Sequence, residues 1–108
     1  MPHYLYRIIP ARADMHSTGP TPREAQALSA HFGYLQRLTE LGTVLLAGRS
    51  DPLADAGYGL VLLRAETESQ ARALMQADPV VAQGVMQGEL QPFRIALWSR
   101  QGPGPLPG

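Results

Sequence analysis

Two helix starts with two short apolar runs between them constrain this chain more than any other feature. The first start is Thr21-Pro22-Arg23-Glu24. Thr21 can cap, Pro22 suits the first helical position, and Glu24 can complete a capping box. Ala25, Leu28, Phe32, Leu35 and Leu38 follow at three- and four-residue steps, which predicts one apolar face on a helix running to Leu41 and stopping at Gly42. The second start, Thr67-Glu68-Ser69-Gln70, opens a helix to about Ala77. Asp78-Pro79 ends it, because a residue before proline is pushed out of the helical region, and Pro79 can start one more short turn to about Gln83.

Strands fill the gaps. Residues 4–9 form a run of aromatic and β-branched side chains bounded by Pro10. Residues 43–47, 58–63 and 90–98 read as three more strands. Residues 10–20 and 49–57 read as loops. The order is β-α-β-β-α-β, the ferredoxin-like split βαβ arrangement of class α+β, with two helices on one face of a four-stranded antiparallel sheet. One domain over residues 1–100 is expected, and the Gly/Pro-rich tail at 101–108 is expected to be disordered.

The strand composition adds a second constraint. Tyr4, Tyr6 and Ile8 oppose Leu5 and Ile9; Tyr58, Leu60 and Leu62 oppose Val61 and Leu63; Phe93, Ile95 and Leu97 oppose Ala96 and Trp98. A sheet with one wet face alternates apolar with polar, and these strands do not. Two helices cover one face only. A second copy of the chain is therefore expected on the other, with an open ligand-binding face as the alternative.

Formal net charge is zero, which argues against a nucleic-acid partner. There is no cysteine, so disulfides and thiolate metal sites are excluded. His3, His16 and His31 match no metal-ligand spacing, and no metal or cofactor is expected. No apolar stretch is long enough for a membrane helix and the N-terminus lacks a signal-peptide pattern, so a cytoplasmic location is expected.

Several segments together resemble the YCII-related (YciI-like) family: His31-Phe32-Gly33-Tyr34-Leu35, the stretch from Leu41 to Arg49, Gly57-Tyr58-Gly59-Leu60-Val61, Ala77-Asp78-Pro79-Val80-Val81, and Glu89-Leu90-Gln91-Pro92-Phe93-Arg94. The resemblance implies a homodimeric α+β barrel and a cleft holding a histidine and an aspartate as an acid–base pair. Those positions are His31 and Asp78 here. It also implies elimination-type chemistry, such as dehydrochlorination, on small cyclic substrates, which makes a lyase or isomerase the expected enzyme class.

Helix lengths give an independent check on that pairing. His31 lies about 15 Å back from the end of the first helix, and the ten-residue second helix rises by about the same ~15 Å, so antiparallel packing puts the two side chains level. A carboxylate on one ring nitrogen fixes the tautomer and leaves the other nitrogen to take or give a proton near neutral pH. Tyr34, one turn beyond His31, and Tyr6 on the first strand are candidate substrate contacts. Arg49 and Ser50, at a strand end, could hold an anionic group. Each also has a plain structural reading: His31 and the tyrosines as packed residues, Asp78 as the cap of the turn at Pro79, and Arg49-Ser50 as a solvated turn. A non-catalytic dimer that binds a small ligand or regulates a partner therefore stands beside the enzyme.

Overall fold

Thr21 opens its helix as the sequence requires. In a computed structural model that describes residues 1–107, the Thr21 hydroxyl accepts from the Glu24 backbone N–H at 3.2 Å, and the Glu24 carboxylate accepts from the Thr21 N–H at 2.8 Å. The chain runs β1 (His3–Pro10), α1 (Met15–Thr18), α2 (Pro22–Glu40), β2 (Val44–Arg49), β3 (Gly59–Arg64), α3 (Glu68–Ala77), α4 (Pro79–Ala82) and β4 (Met86–Phe93). At Thr67 only half of the expected capping box forms. Its hydroxyl accepts from the Gln70 N–H, while the Gln70 side chain accepts from Glu66 instead.

All strand pairs are antiparallel, in the order β2-β3-β1-β4. This is the ferredoxin-like α+β arrangement expected from the order of elements. The register Tyr4↔Leu63 and Tyr6↔Val61 puts Tyr4, Tyr6, Ile8, Val61 and Leu63 on one face. There they form the core with Val44, Ala27, Leu35 and Leu38 of the α2 side and with Ala71, Met75 and Val80 of α3 and α4. Gly88 lets α3 approach this closely, since a Cβ there would stand 2.9 Å from Met75 Sδ.

Three expectations need correction. The last strand is β4 at Met86–Phe93, not 90–98. His3 pairs with Phe93, so β1 runs out there and Arg94 to Trp98 have no neighbour to extend the ladder. Leu97 and Trp98 are exposed instead of opposing one another in a sheet. The outer face of β4 carries Gln87, Glu89 and Gln91, all exposed, and ends in Phe93, so the apolar outer surface lies mostly on β1, β2 and β3, with Leu5, Ile9, Leu46 and Leu60.

The second correction is rotational. The buried face of α2 is Glu24, Ala27, Leu35 and Leu38, while Ala25 and Phe32 are exposed. The third concerns residues 10–20, read as a plain loop. They contain α1, whose Met15 is fully buried, and Arg12, which ties the segment to α2 through both Glu24 oxygens at 2.6 and 3.0 Å. The tail consists of exposed turns through residue 107, and Gly108 lies outside the described residues.

Candidate active site

Rotating α2 by about one residue puts His31 in the seam between α2 and α4. Its ring Nδ1 stands 2.7 Å from Asp78 Oδ1 and 2.8 Å from Oδ2. The level packing expected from helix lengths is therefore met. Asp78 is where it is because Pro79 follows it: its backbone is extended, with ψ 125°, so α3 stops and α4 starts on either side. As the N-cap of α4, its Oδ1 accepts from the Val80 N–H at 3.2 Å.

Asp78 has no exposed surface, and its second oxygen is also committed. The Tyr6 hydroxyl donates to Oδ2 at 2.7 Å from β1 below. The carboxylate thus accepts from Tyr6, from Val80 and from His31. Among the described residues no buried side-chain polar atom lacks a partner. A charge this deep persists only when its oxygens are hydrogen-bonded, and here they are. Burial pushes the Tyr6 phenol well above its ordinary value, and the Asp78 charge adds to the rise, so Tyr6 stays a hydroxyl and a donor.

An ionised carboxylate only accepts hydrogen bonds, so the Nδ1 beside it carries the proton. Nε2 is then the free nitrogen of the neutral ring. The His31 side chain is 18% exposed, whereas that of Asp78 is 0% exposed. The imidazole is therefore the only member of the pair that an incoming molecule can touch.

The other candidates fall in different places. Tyr6 is 1% exposed and sits behind Asp78, away from any opening. Tyr34 lies beside the pair, but its hydroxyl donates to the Leu74 carbonyl at 2.6 Å, and its phenol is raised by burial and then by the Asp78 charge. Arg37 lies over the Tyr34 ring, 5.9 Å from its centre. Arg49 and Ser50 are at the far edge strand. Arg49 donates to the Ser50 carbonyl and the Ser50 hydroxyl accepts from the Tyr58 N–H; neither contacts His31 or Asp78. Arg23 of α2 donates to the Gln83 carbonyl at the end of α4, an exposed tie between the two helices that no sequence pattern signals.

Two surface hollows lie elsewhere, one bounded by Thr43, Arg64, Glu66 and Leu74, the other by His3, Tyr4, Phe93 and Arg94. His31 lines neither of them. No three His, Asp or Glu side chains come together as a metal site would need among the described residues. No helix there is long and apolar enough to cross a membrane.

Comparison with known proteins adds two findings. The family profile described as the YCII-related domain matches residues 6–94. Among solved structures, the chain is similar to 5-chloro-2-hydroxyhydroquinone dehydrochlorinase from Burkholderia phenoliruptrix, in its complex with 2,5-dihydroxybenzoquinone. The TM-score is 0.60 at 13% sequence identity, over 84% of this chain and 93% of that one. At that identity the likeness speaks to the fold. A search of curated proteins finds no match.

Proposed function

The chain belongs to the YCII-related domain family, and from that premise we propose that it is a small cofactor-independent enzyme in which His31, oriented by Asp78, moves a proton on a small organic substrate. The observation that carries the reading is the contact of Nδ1 with both carboxylate oxygens, at 2.7 and 2.8 Å, with the imidazole alone facing solvent. With Nδ1–H anchored, Nε2 acts as base. The imidazolium it becomes is stabilised by the buried carboxylate, and the same nitrogen can return the proton to a leaving group or a carbon. No serine hydroxyl bonds to His31 among the described residues and the chain has no cysteine, so elimination or isomerisation is favoured over covalent acyl transfer.

A cyclic substrate with acidic hydroxyl protons suits one exposed base. The dehydrochlorinase of the same fold is named for 5-chloro-2-hydroxyhydroquinone, which supports chlorinated hydroxyhydroquinones as the first substrates to try. The working unit in this reading is a homodimer in the cytoplasm, joined through the outer sheet faces, where Leu46 is 51% exposed beside the half-buried Leu5 and Leu60.

The test is chloride release or ring isomerisation across a panel of chlorinated dihydroxy- and trihydroxybenzenes, with His31→Ala as control. The variant should fold normally and lose about 10²–10⁴-fold in rate. A fully active His31→Ala would end the catalytic reading. A second reading, a non-catalytic ligand-binding or regulatory dimer, draws support from the capping of α4 by Asp78, which gives that carboxylate a structural task of its own. It predicts ligand binding without turnover.

A further inference from the structure

Tyr6, 1% exposed, is the most deeply buried titratable side chain among the described residues that the proton-transfer scheme above leaves unused. We propose that Tyr6 is a positioning residue: its hydroxyl bond to Asp78 Oδ2 holds the carboxylate in the plane that His31 needs and shares the negative charge that would otherwise fall wholly on the imidazole. This rests on the proton-transfer reading of His31 and Asp78 and adds a third member behind them.

The chain of contacts is short and directional. Tyr6 stands in the middle of β1, paired with Val61 on one side and Leu90 on the other, so its backbone is fixed by two ladders. Strand alternation puts it on the helix face with Tyr4 and Ile8. A phenylalanine would fill the same core volume, so a hydroxyl here is not needed for packing. Its oxygen lies 2.7 Å from Oδ2, while Val80 N–H holds Oδ1 from the opposite side at 3.2 Å. Two donors from two elements therefore fix the carboxylate, and His31 meets an acceptor that cannot rotate away.

The charged and titratable groups around the pair are few. From β1 there is Tyr6; from α2, Tyr34, whose hydroxyl is spent on Leu74, and Arg37 over its ring. Arg23 at the near end is spent on Gln83. On α3, Glu68 and Arg72 are exposed and bonded to each other. From β4, Gly88 and Leu90 bring no charge to this face. The charge that His31 meets is thus that of Asp78, moderated by the Tyr6 hydroxyl.

Removing the hydroxyl leaves the carboxylate with one donor fewer, so more of its charge acts on the imidazolium. Tyr6→Phe should raise the His31 pKa by roughly half a unit to one unit, the share of one hydrogen bond. Asp78→Asn should lower it. Both are read by NMR titration of the His31 ring. An unchanged or lowered value in Tyr6→Phe, with Asp78→Asn still lowering it, overturns the Tyr6 role and leaves the His31–Asp78 pair intact. No shift in Asp78→Asn overturns the pair itself. If Tyr6→Phe does not fold, the wild-type protein serves. Its Tyr6 hydroxyl proton, assigned by its proximity to the Tyr6 ring, should give a slowly exchanging downfield signal that moves with the His31 titration midpoint. Absence of a signal that tracks His31 overturns the proposal.

Discussion

Replacing Asp78 by alanine separates the capping and bridging work of this side chain from the cost of burying its charge. The substitution takes an acceptor from three donors: Tyr6 Oη at 2.7 Å, Val80 N at 3.2 Å and His31 Nδ1 at 2.7 Å. His31 is partly exposed and turns to water, so its loss adds little. Tyr6 is 1% exposed and has no water to turn to, and orphaning its hydroxyl costs about 1–3 kcal/mol. Losing the cap of α4 adds about 1 kcal/mol. The sum is about 2–4 kcal/mol, a large part of the ~5–15 kcal/mol that holds a domain of this size together. Urea unfolding at constant slope measures it. Adding Tyr6→Phe to the alanine variant removes the orphan and should recover about 1 kcal/mol or more, a non-additivity only a direct contact produces. Were the carboxylate's desolvation the larger effect, Asp78→Ala would leave stability unchanged or raise it, and that result would refute the reasoning.

The Arg12–Glu24 contact makes the segment before α2 acid-sensitive. Arg12 holds the Glu24 carboxyl down at about 2, from an ordinary 4.5, so its contribution is complete above 4.5 and fades as pH falls toward 2. Glu24→Gln should flatten the acid limb of a melting-temperature profile in that window, and an unchanged limb would remove the pair from the explanation. Gly88→Ala places a methyl 2.9 Å from Met75 Sδ and 3.4 Å from Val81. The flexible thioether yields in part, so a loss of about 1–2 kcal/mol in urea unfolding is expected, and no loss would show that α3 does not seat there. If the proposed dimer joins through the outer sheet face, the wild type should sediment as a dimer and Leu46→Asp as a folded monomer. A persisting dimer would move the interface elsewhere.

Much of this arrangement is legible in the sequence, and the reasons differ by element. Thr21-Pro22 and Asp78-Pro79 fix helix boundaries by local chemistry, so α2, α3 and α4 came out nearly in place. The levelness of His31 with Asp78 needed only helix lengths. Strand β4 did not follow from local pattern. Met86-Gln87-Gly88-Glu89 has little strand character of its own and is a strand because β1 lies beside it, while the apolar stretch from Ile95 to Trp98 lies past the end of β1. Spacing alone puts Phe32 in the core, yet it is exposed. The true face runs through Glu24, an acidic residue that is buried because the Arg12 guanidinium comes to it from a segment with no periodicity. Tyr6 reads from sequence as either a substrate contact or a packed residue, and strand alternation places it with Tyr4 and Ile8; only the position of the α3–α4 junction over that face shows which group its hydroxyl meets.

The most direct measurement is the nitrogen chemical shifts of the His31 ring at a pH where it is neutral. A carboxylate-anchored imidazole must show Nδ1 protonated and Nε2 bare, and substituting Asp78 by asparagine must reverse or scramble that preference. A ring that carries its proton on Nε2 in the unaltered protein, indifferent to the change at Asp78, would contradict the whole scheme of an oriented base.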